Sequence, residues 1–234
     1  THRRRFIASG LGTALSLSLP AFATQAPGEV LRFGVISDVH QDVMHDGCER
    51  LTAFVEAMAR EKVDFIIQLG DFCIPAERNR AFLEIWNRHP GPRHHVLGNH
   101  DMDSGFRREQ TLAFYGMESG HYAFDAKGFR CIVLDGNDPG GTTRGYARHI
   151  GPEQLAWLRE QLATSRTPVL VFIHQPLDGT GGIDNQAEIR ALLEAARVND
   201  RPAVAACFSG HLHQDYARLI GGIAHVQINS ASYV

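Results

Sequence analysis

No pair among the four cysteines is spaced as CxxC: Cys48, Cys73, Cys131 and Cys207 stand far apart, which counts against a cysteine-built zinc cluster. Three lie in or beside apolar, strand-like runs, where a free cysteine packs as a small hydrophobe. Basic side chains form no block beyond the first residues, and 23 Lys and Arg against 26 Asp and Glu leave a net charge of -3. An extended nucleic-acid or membrane-binding face is therefore unsupported. Nor is there an apolar run long enough to span a bilayer. What the 234 residues do have is 44% apolar side chains, enough for a sizeable core in one domain at the upper end of the usual size.

Residues 1–23 carry the pattern of an export signal, with an anchoring or merely basic tail as the alternative. Arg3-Arg4-Arg5-Phe6-Ile7 leads an uncharged run to Leu19, followed by Pro20 and the small-residue pattern Ala21-Phe22-Ala23 suited to cleavage. The paired arginines resemble a twin-arginine signal, the route taken by already folded proteins, and so imply an exported protein, periplasmic or extracellular. An oxidising compartment would also permit disulfides. The chain opens on Thr1 and stops at Ser232-Tyr233-Val234 without a helix cap or polar tail, so we expect it to begin inside a longer precursor and to be truncated at its end.

Residues 24–234 read as a single α/β domain in which strand-like runs repeatedly end in polar residues. Residues 30–36 are dense in β-formers and exit at Ser37-Asp38-Val39-His40. If the strand continued, the alternation of side chains would put Asp38 and His40 on one face. Residues 48–60, with Leu51, Phe54, Val55 and Met58 at spacings of three and four, predict a core helix. Residues 63–69 predict a buried strand that delivers Gly70-Asp71, and Ala81, Phe82, Ile85 and Trp86 mark a second helix. The run His95-Val96-Leu97 then leads into Gly98-Asn99-His100-Asp101. Alone, that motif equally describes an ordinary tight turn.

Between residues 102 and 120 the pattern is weak, with a helix expected only near 111–116. Residues 121–125 and 129–135, joined by Ala126-Lys127-Gly128, predict a β-hairpin, which breaks the parallel βαβ rhythm. Residues 136–148 form a Gly-rich loop, a candidate lid or a solvated connection, in which Arg144 and Arg148, with Arg107 and Arg108 upstream, are candidate phosphate contacts. A helix opens at Gly151-Pro152 with Leu155, Leu158 and Leu162 on its buried stripe, and residues 168–173 predict a strand ending at His174-Gln175-Pro176. Ile189, Leu192, Leu193 and Ala196 mark another helix. Residues 203–208 run into Ser209-Gly210-His211-Leu212-His213, and a second hairpin turns at Gly221-Gly222.

The polar groups at five strand exits make one inventory: Asp38, His40, Asp71, Asn99, His100, His174, His211 and His213. A lone histidine at an apolar strand end is usually a satisfied core residue. Several carboxylates and imidazoles gathered together would cost several kcal/mol per ion to bury without cations, so paired metal ions are the natural compensation. Oxygen and nitrogen donors without thiolate favour Mn, Fe or Zn.

The set Asp38-x-His40, Gly70-Asp71, Gly98-Asn99-His100-Asp101, His174 and Gly210-His211-x-His213 resembles the calcineurin-like metallophosphoesterases in motif order and approximate spacing, over residues 30–233. The resemblance implies a four-layer α/β/β/α sandwich of two mixed β-sheets. It also implies a dinuclear centre: one ion on Asp38, His40 and His213, the other on Asn99, His174 and His211, with Asp71 bridging. The activity it implies is hydrolysis of small phosphomono- or phosphodiesters by a metal-bridging hydroxide. His100, oriented by Asp101, would assist the leaving group, although Asp101 is equally a cap for the chain immediately after it. The chain departs from the pattern at Phe72-Cys73-Ile74, where many relatives carry a further acidic residue. Alternatives within the chemistry are a cyclic-nucleotide or nucleotide-diphosphate hydrolase, or a mononuclear centre. Outside it stands a non-catalytic protein-binding scaffold on the same fold.

Overall fold

The computed structural model describes residues 30–142 and 144–232. The export signal expected over residues 1–23 lies outside the described residues. In chain order, β1 (Phe33–Ile36) is followed by α1 (Gly47–Glu61), β2 (Phe65–Gln68), α2 (Arg80–Asn87), β3 (Arg93–His95) and α3 (Arg108–Tyr115). The hairpin of β4 (Tyr122–Ala126) and β5 (Phe129–Val133) comes next, then α4 (Pro152–Thr164), β6 (Val169–Phe172) and α5 (Gln186–Ala195). A two-residue pair, β7 (Arg197–Val198) with β8 (Arg201–Pro202), precedes β9 (Val204–Ser209), β10 (Tyr216–Ile220) and β11 (Ile223–Gln227).

Three layers of apolar side chains hold these elements in an α/β/β/α sandwich. The reason is the two-residue period of the buried strands. In β6 and just beyond it, Val169, Val171 and Ile173 face α4 and α5, where they meet Leu155, Leu158, Ile189 and Leu193. The alternate residues Leu170 and Phe172 face the other sheet and meet Phe65, Ile67 and Val96. On that other sheet Ile36, Ile66 and Leu97 turn outward to α1 and α2, against Leu51, Val55, Phe82 and Trp86. Phe33 stacks on Phe65 at 5.0 Å and meets Phe172 edge-on at 5.7 Å, so aromatic rings fill the space between the sheets.

The larger sheet, ordered β10-β11-β9-β6-β5-β4, is mixed, as both expected hairpins require. The smaller one, β1-β2-β3, is parallel in each of its pairings and so does not share the mixed character expected of both. Its strands are joined through helices, the usual form of the long crossover that parallel neighbours need. All four cysteines are free, three of them buried. Among the described residues no helix is long and apolar enough to cross a membrane.

Candidate metal centre

The carboxyl ends of β1, β2 and β3 from one sheet and of β6 and β9 from the other open onto the same edge of the sandwich. Backbone hydrogen bonds continue past the strands and zip the exits together: Asp38 N–H donates to Gly70 O at 3.0 Å, His40 N–H to Asp71 O at 2.9 Å, and Gly210 N–H to His174 O at 3.0 Å. The two sheets are tied by His174 Nδ1, 2.7 Å from Leu69 O, and by the His211 N–H, 3.0 Å from Asp38 Oδ2.

Asp38 and His40 do come together, but not by strand alternation. The pleat stops at Ile36, and both residues are left-handed, with φ of 53° and 50°. Asp71, His211 and His213 share that conformation at 52°, 74° and 52°. Each such residue costs on the order of 1–3 kcal/mol, and such strain gathers at functional sites. Gly98 is required here for a different reason: a Cβ on it would overlap the Asp71 backbone nitrogen and carboxylate.

Two groups of three donors result, Asp38 with His40 and His213, and Asp71 with His174 and His211, each with its atoms within 4.8 Å of one another. In the first, His213 Nε2 lies 3.2 Å from Asp38 Oδ1 and 3.3 Å from His40 Nε2. In the second, His174 Nε2 lies 3.2 Å from Asp71 Oδ2 and 3.1 Å from Asn99 Oδ1. Asp71 Oδ2 is also 3.8 Å from His40 Nε2, so this carboxylate faces both groups.

The proton affinities follow from these contacts. Burial opposes charge on His174, but the neighbouring Asp71 outweighs it and lifts the imidazole to about 10. Burial lowers His40, and burial together with the His174 charge lowers His211 to about 4. Asp38 and Asp71 both fall below the usual carboxylate range. Burial, the largest single influence, opposes this, and the lowering contributions together outweigh it, led by the His213 hydrogen bond at Asp38 and by the His174 charge at Asp71.

His100 begins a single 3-10 turn, His100–Met102, and its N–H donates to Asp71 Oδ1 at 2.8 Å. Asp101 does not orient it. That carboxylate is fully buried and accepts from the N–H groups of Gly98 and Phe72, both at 2.7 Å, and from the Tyr115 hydroxyl at 3.1 Å. It pins the Gly98 turn to the exit of β2, and burial with the Asp71 charge pushes it up to about 7. The partner of His100 is instead Asp103, with Oδ2 2.7 Å from Nδ1. The spacing of three residues is the one that a 3-10 turn eclipses. Tyr146, from the Gly-rich loop, donates its hydroxyl to Asp103 Oδ1 at 2.8 Å and lies 3.2 Å from His100 Nδ1. Burial and Asp103 raise this phenol to about 12, so it stays a donor at neutral pH. No sequence pattern singled out Tyr146.

Of the arginines considered as phosphate contacts, Arg108 is committed to Asp135 at 3.1 Å and Asp138 at 2.9 Å. Arg107 and Arg144 are exposed, while the charge of Arg148 is felt at His211. Beside His40 and His100 lies a cavity of about 220 Å³, bordered by Asp42, Val43, Ile74, Arg78 and Asp103.

A family model described as calcineurin-like phosphoesterase matches residues 31–215. The chain belongs to that family. Its fold recurs in a dimetal phosphatase from Danio rerio, with a TM-score of 0.70 over 86% of this chain and 88% of that one at 20% identity. It recurs also in GAP50, the anchor in the inner membrane complex of Plasmodium, with a TM-score of 0.61 over 86% and 72% at 19% identity. Phosphopantetheinyl hydrolase from Mycobacterium tuberculosis gives 0.54 over 85% and 89% at 14% identity. No curated protein matches by sequence.

Calcineurin-like phosphoesterases are metal-dependent phosphoester hydrolases with a dinuclear centre, and the donor set of this phosphoesterase fits one. His174 gives Nδ1–H to Leu69 O, and Asp71 holds a second proton on Nε2; an ion that displaced this proton would meet the Nε2 lone pair beside an Asp71 oxygen and the Asn99 amide oxygen. Three electron-rich atoms so placed need a positive charge between them. In the other group two imidazole nitrogens and Asp38 Oδ1 face one another in the same way. Hard oxygens with borderline nitrogens suit Mn, Fe or Zn.

Proposed function

We propose that this phosphoesterase hydrolyses small phosphomono- or phosphodiesters at a dinuclear centre held by seven side chains. Asp38, His40 and His213 would hold one ion and Asn99, His174 and His211 the other, with Asp71 facing both. The observation that carries the reading is the convergence of all seven on one edge of the sandwich beside His100, whose Nε2 makes no hydrogen bond to another described residue. When bound, two such ions neutralise phosphoryl charge and activate water.

The chain's own residues supply the rest. Asp71 faces both donor groups and fixes their relative placement while its other oxygen holds the His100 backbone. His100, with Nδ1 engaged by Asp103, offers Nε2–H to the ester oxygen. As the P–O bond breaks, its electron pair goes to that oxygen, which takes the proton and leaves the ring neutral. The phosphoryl group sits against the donor set, and the cavity beside His40 and His100 receives the ester group.

Metal analysis and a substrate panel test this together. We expect two transition ions per chain and hydrolysis within a panel of a mononucleotide, a cyclic nucleotide and a nucleotide-diphosphate derivative. The panel also separates the mono-, cyclic- and diphosphate specificities. One ion per chain would indicate a mononuclear centre. No ion, with no hydrolysis after Mn addition, would favour a scaffold role of the kind stated for the Plasmodium anchor. Replacing His100 by Ala should spare metal binding and cost roughly 10²–10⁴-fold on an ester with a poor leaving group.

Export by the twin-arginine route is part of the same proposal and is supported by the arginine pair and the pattern of residues 1–23. Periplasmic recovery of the cleaved chain, lost when Arg3, Arg4 and Arg5 are replaced by Lys, is the expected outcome.

A further inference from the structure

We infer that Arg78 determines the specificity of the cavity beside His100, and that this cavity takes a leaving group carrying a second anion, a carboxylate or a further phosphate. The inference rests on the reading of the chain as a two-metal phosphoesterase. It names the class of ester which that reading leaves open.

The donor count around Arg78 carries it. Arg78 lies in the 3-10 turn Glu77–Asn79 that precedes α2, and its side chain is 65% exposed. Its Nη2 donates to Asp42 Oδ1 at 2.9 Å, and no other described residue accepts from the guanidinium. A guanidinium has two edges of paired donors that share Nη2, one with Nε and the other with Nη1. Whichever Nη2 hydrogen goes to Asp42, the opposite edge keeps both of its N–H groups. Such a fork takes a carboxylate or phosphate through two charge-assisted hydrogen bonds, whereas a neutral hydroxyl would use only half of it.

Asp42 anchors the fork and is itself fully engaged. Its Oδ2 accepts the Ile74 N–H at 2.7 Å, and its Oδ1 also accepts from the Asn79 amide at 2.8 Å. These bonds tie the turn that carries Arg78 to the segment just after His40, so the arginine is held at the cavity rim before any ligand arrives. Stability does not account for the pair, since an ion pair with one partner so exposed adds little to folding. The rest of the wall sets the size and character of the group. Val43, left 69% exposed, and Ile74 give the cavity apolar surface, and the other carboxylate of the rim, Asp103, is turned to His100 and Tyr146. The volume of about 220 Å³ is below the roughly 300–1,000 Å³ of pockets that enclose a whole drug-sized ligand. It suits one short apolar spacer with the anion at its far end.

The test measures binding to the Mn-loaded protein by calorimetry, with three phosphonates that cannot be hydrolysed: 4-carbamoylphenylphosphonate, 4-carboxyphenylphosphonate and 4-phosphonophenylphosphonate. We expect the carboxylate, the second phosphonate or both to bind roughly tenfold more tightly than the neutral amide, and the tighter of the two identifies the anion. Arg78→Ala should erase that preference, and Arg78→Lys, which keeps the charge but not the fork, should retain only part of it. The Arg78→Ala protein should fold, because Asp42 still holds Ile74 and Asn79. In turnover, Arg78→Ala should raise KM for 4-carboxyphenyl phosphate about tenfold more than for 4-carbamoylphenyl phosphate. An absent preference in the wild type, or one that survives Arg78→Ala, would overturn the assignment and leave the phosphoesterase reading intact. A metal-treated protein that binds none of the three phosphonates and hydrolyses neither ester would instead overturn that reading and the assignment with it.

Discussion

His174 and His95 are both imidazoles sealed inside the sandwich, and their proton affinities move in opposite directions. At His174 the adjacent Asp71 overrides burial and lifts the ring to about 10. At His95 burial acts first, the charges of His94 and Arg93 add to it, and the ring falls to about 3. His95 sits at the end of β3 in an aromatic cage, 4.7 Å from Tyr115 and 5.4 Å from Trp86, with Gln68 Nε2 at 3.1 Å from its Nδ1. Burial alone therefore makes a histidine inert. A buried carboxylate beside it is what turns the position into a place where positive charge is wanted.

Removing that carboxylate should break the contrast most severely. Asp71→Asn takes the charge from His174 and from both donor groups. We expect metal content to fall and hydrolysis to drop by about 10³-fold, the equivalent of several kcal/mol of lost charge stabilisation. Next comes the matched pair His174→Phe and His95→Phe. The first should abolish binding of at least one ion per chain. The second should leave metal content and turnover within about twofold while changing stability by only about 1–2 kcal/mol, because Gln68 keeps its bond to Val96 O at 3.0 Å.

A pH series sharpens the same pair. Above pH 6.5 neither folded nor unfolded His95 carries a proton; between 6.5 and about 3 only the unfolded chain does, so stability is lost as pH falls through that window. Unfolding free energies from urea titrations at pH 7 and 4.5 should differ by about 2–3 kcal/mol more in the wild type than in His95→Phe. An equal pH response in both proteins would show that His95 is protonated when folded. The smallest change expected is Tyr122→Phe, which removes the hydroxyl that donates to His95 O at 2.9 Å and accepts its N–H at 3.1 Å. It should cost about 1 kcal/mol and leave the pH response untouched.

The contrast between the two histidines also marks how much was legible in the sequence. His174 closes an apolar run, while His95 opens the short run His95-Val96-Leu97; neither position shows the carboxylate that decides the proton affinity, Asp71, which is brought alongside His174 from another strand. The helices and hairpins could be read because their periods are local, as with Leu51 and Val55 on α1 or the Lys127-Gly128 turn. The donors could be recognised because polar residues at strand ends stand out against Val, Ile and Phe. How they converge could not, since Asp38 and His40 meet through left-handed backbone rather than a shared pleat. Asp101 and Asp103 differ only in which side of a 3-10 turn they occupy, so adjacency suggested the wrong partner for His100. Tyr146 was invisible because its contact depends on where a glycine-rich loop lands. The β7 and β8 pair was too short to carry any alternation.

After β11 the chain turns back along the site. Ile228 N–H donates to Ser209 O, the Ser230 hydroxyl to Asp38 O at 2.9 Å, and Ala231 N–H to Ser37 O at 2.8 Å, while the Arg50 guanidinium holds Ala231 O. The segment that steadies the first donor thus leaves the ribosome about 190 residues after it, at a synthesis rate of roughly 5–20 residues per second. During those seconds Asp38 and His40 exist without His211, His213 or the strand that carries them. Both donor groups stay incomplete until His211 and His213 have been made, so the proposed ions can be selected only after that point. On the proposed export route, that places metal choice with the compartment in which the protein folds, before it crosses a membrane.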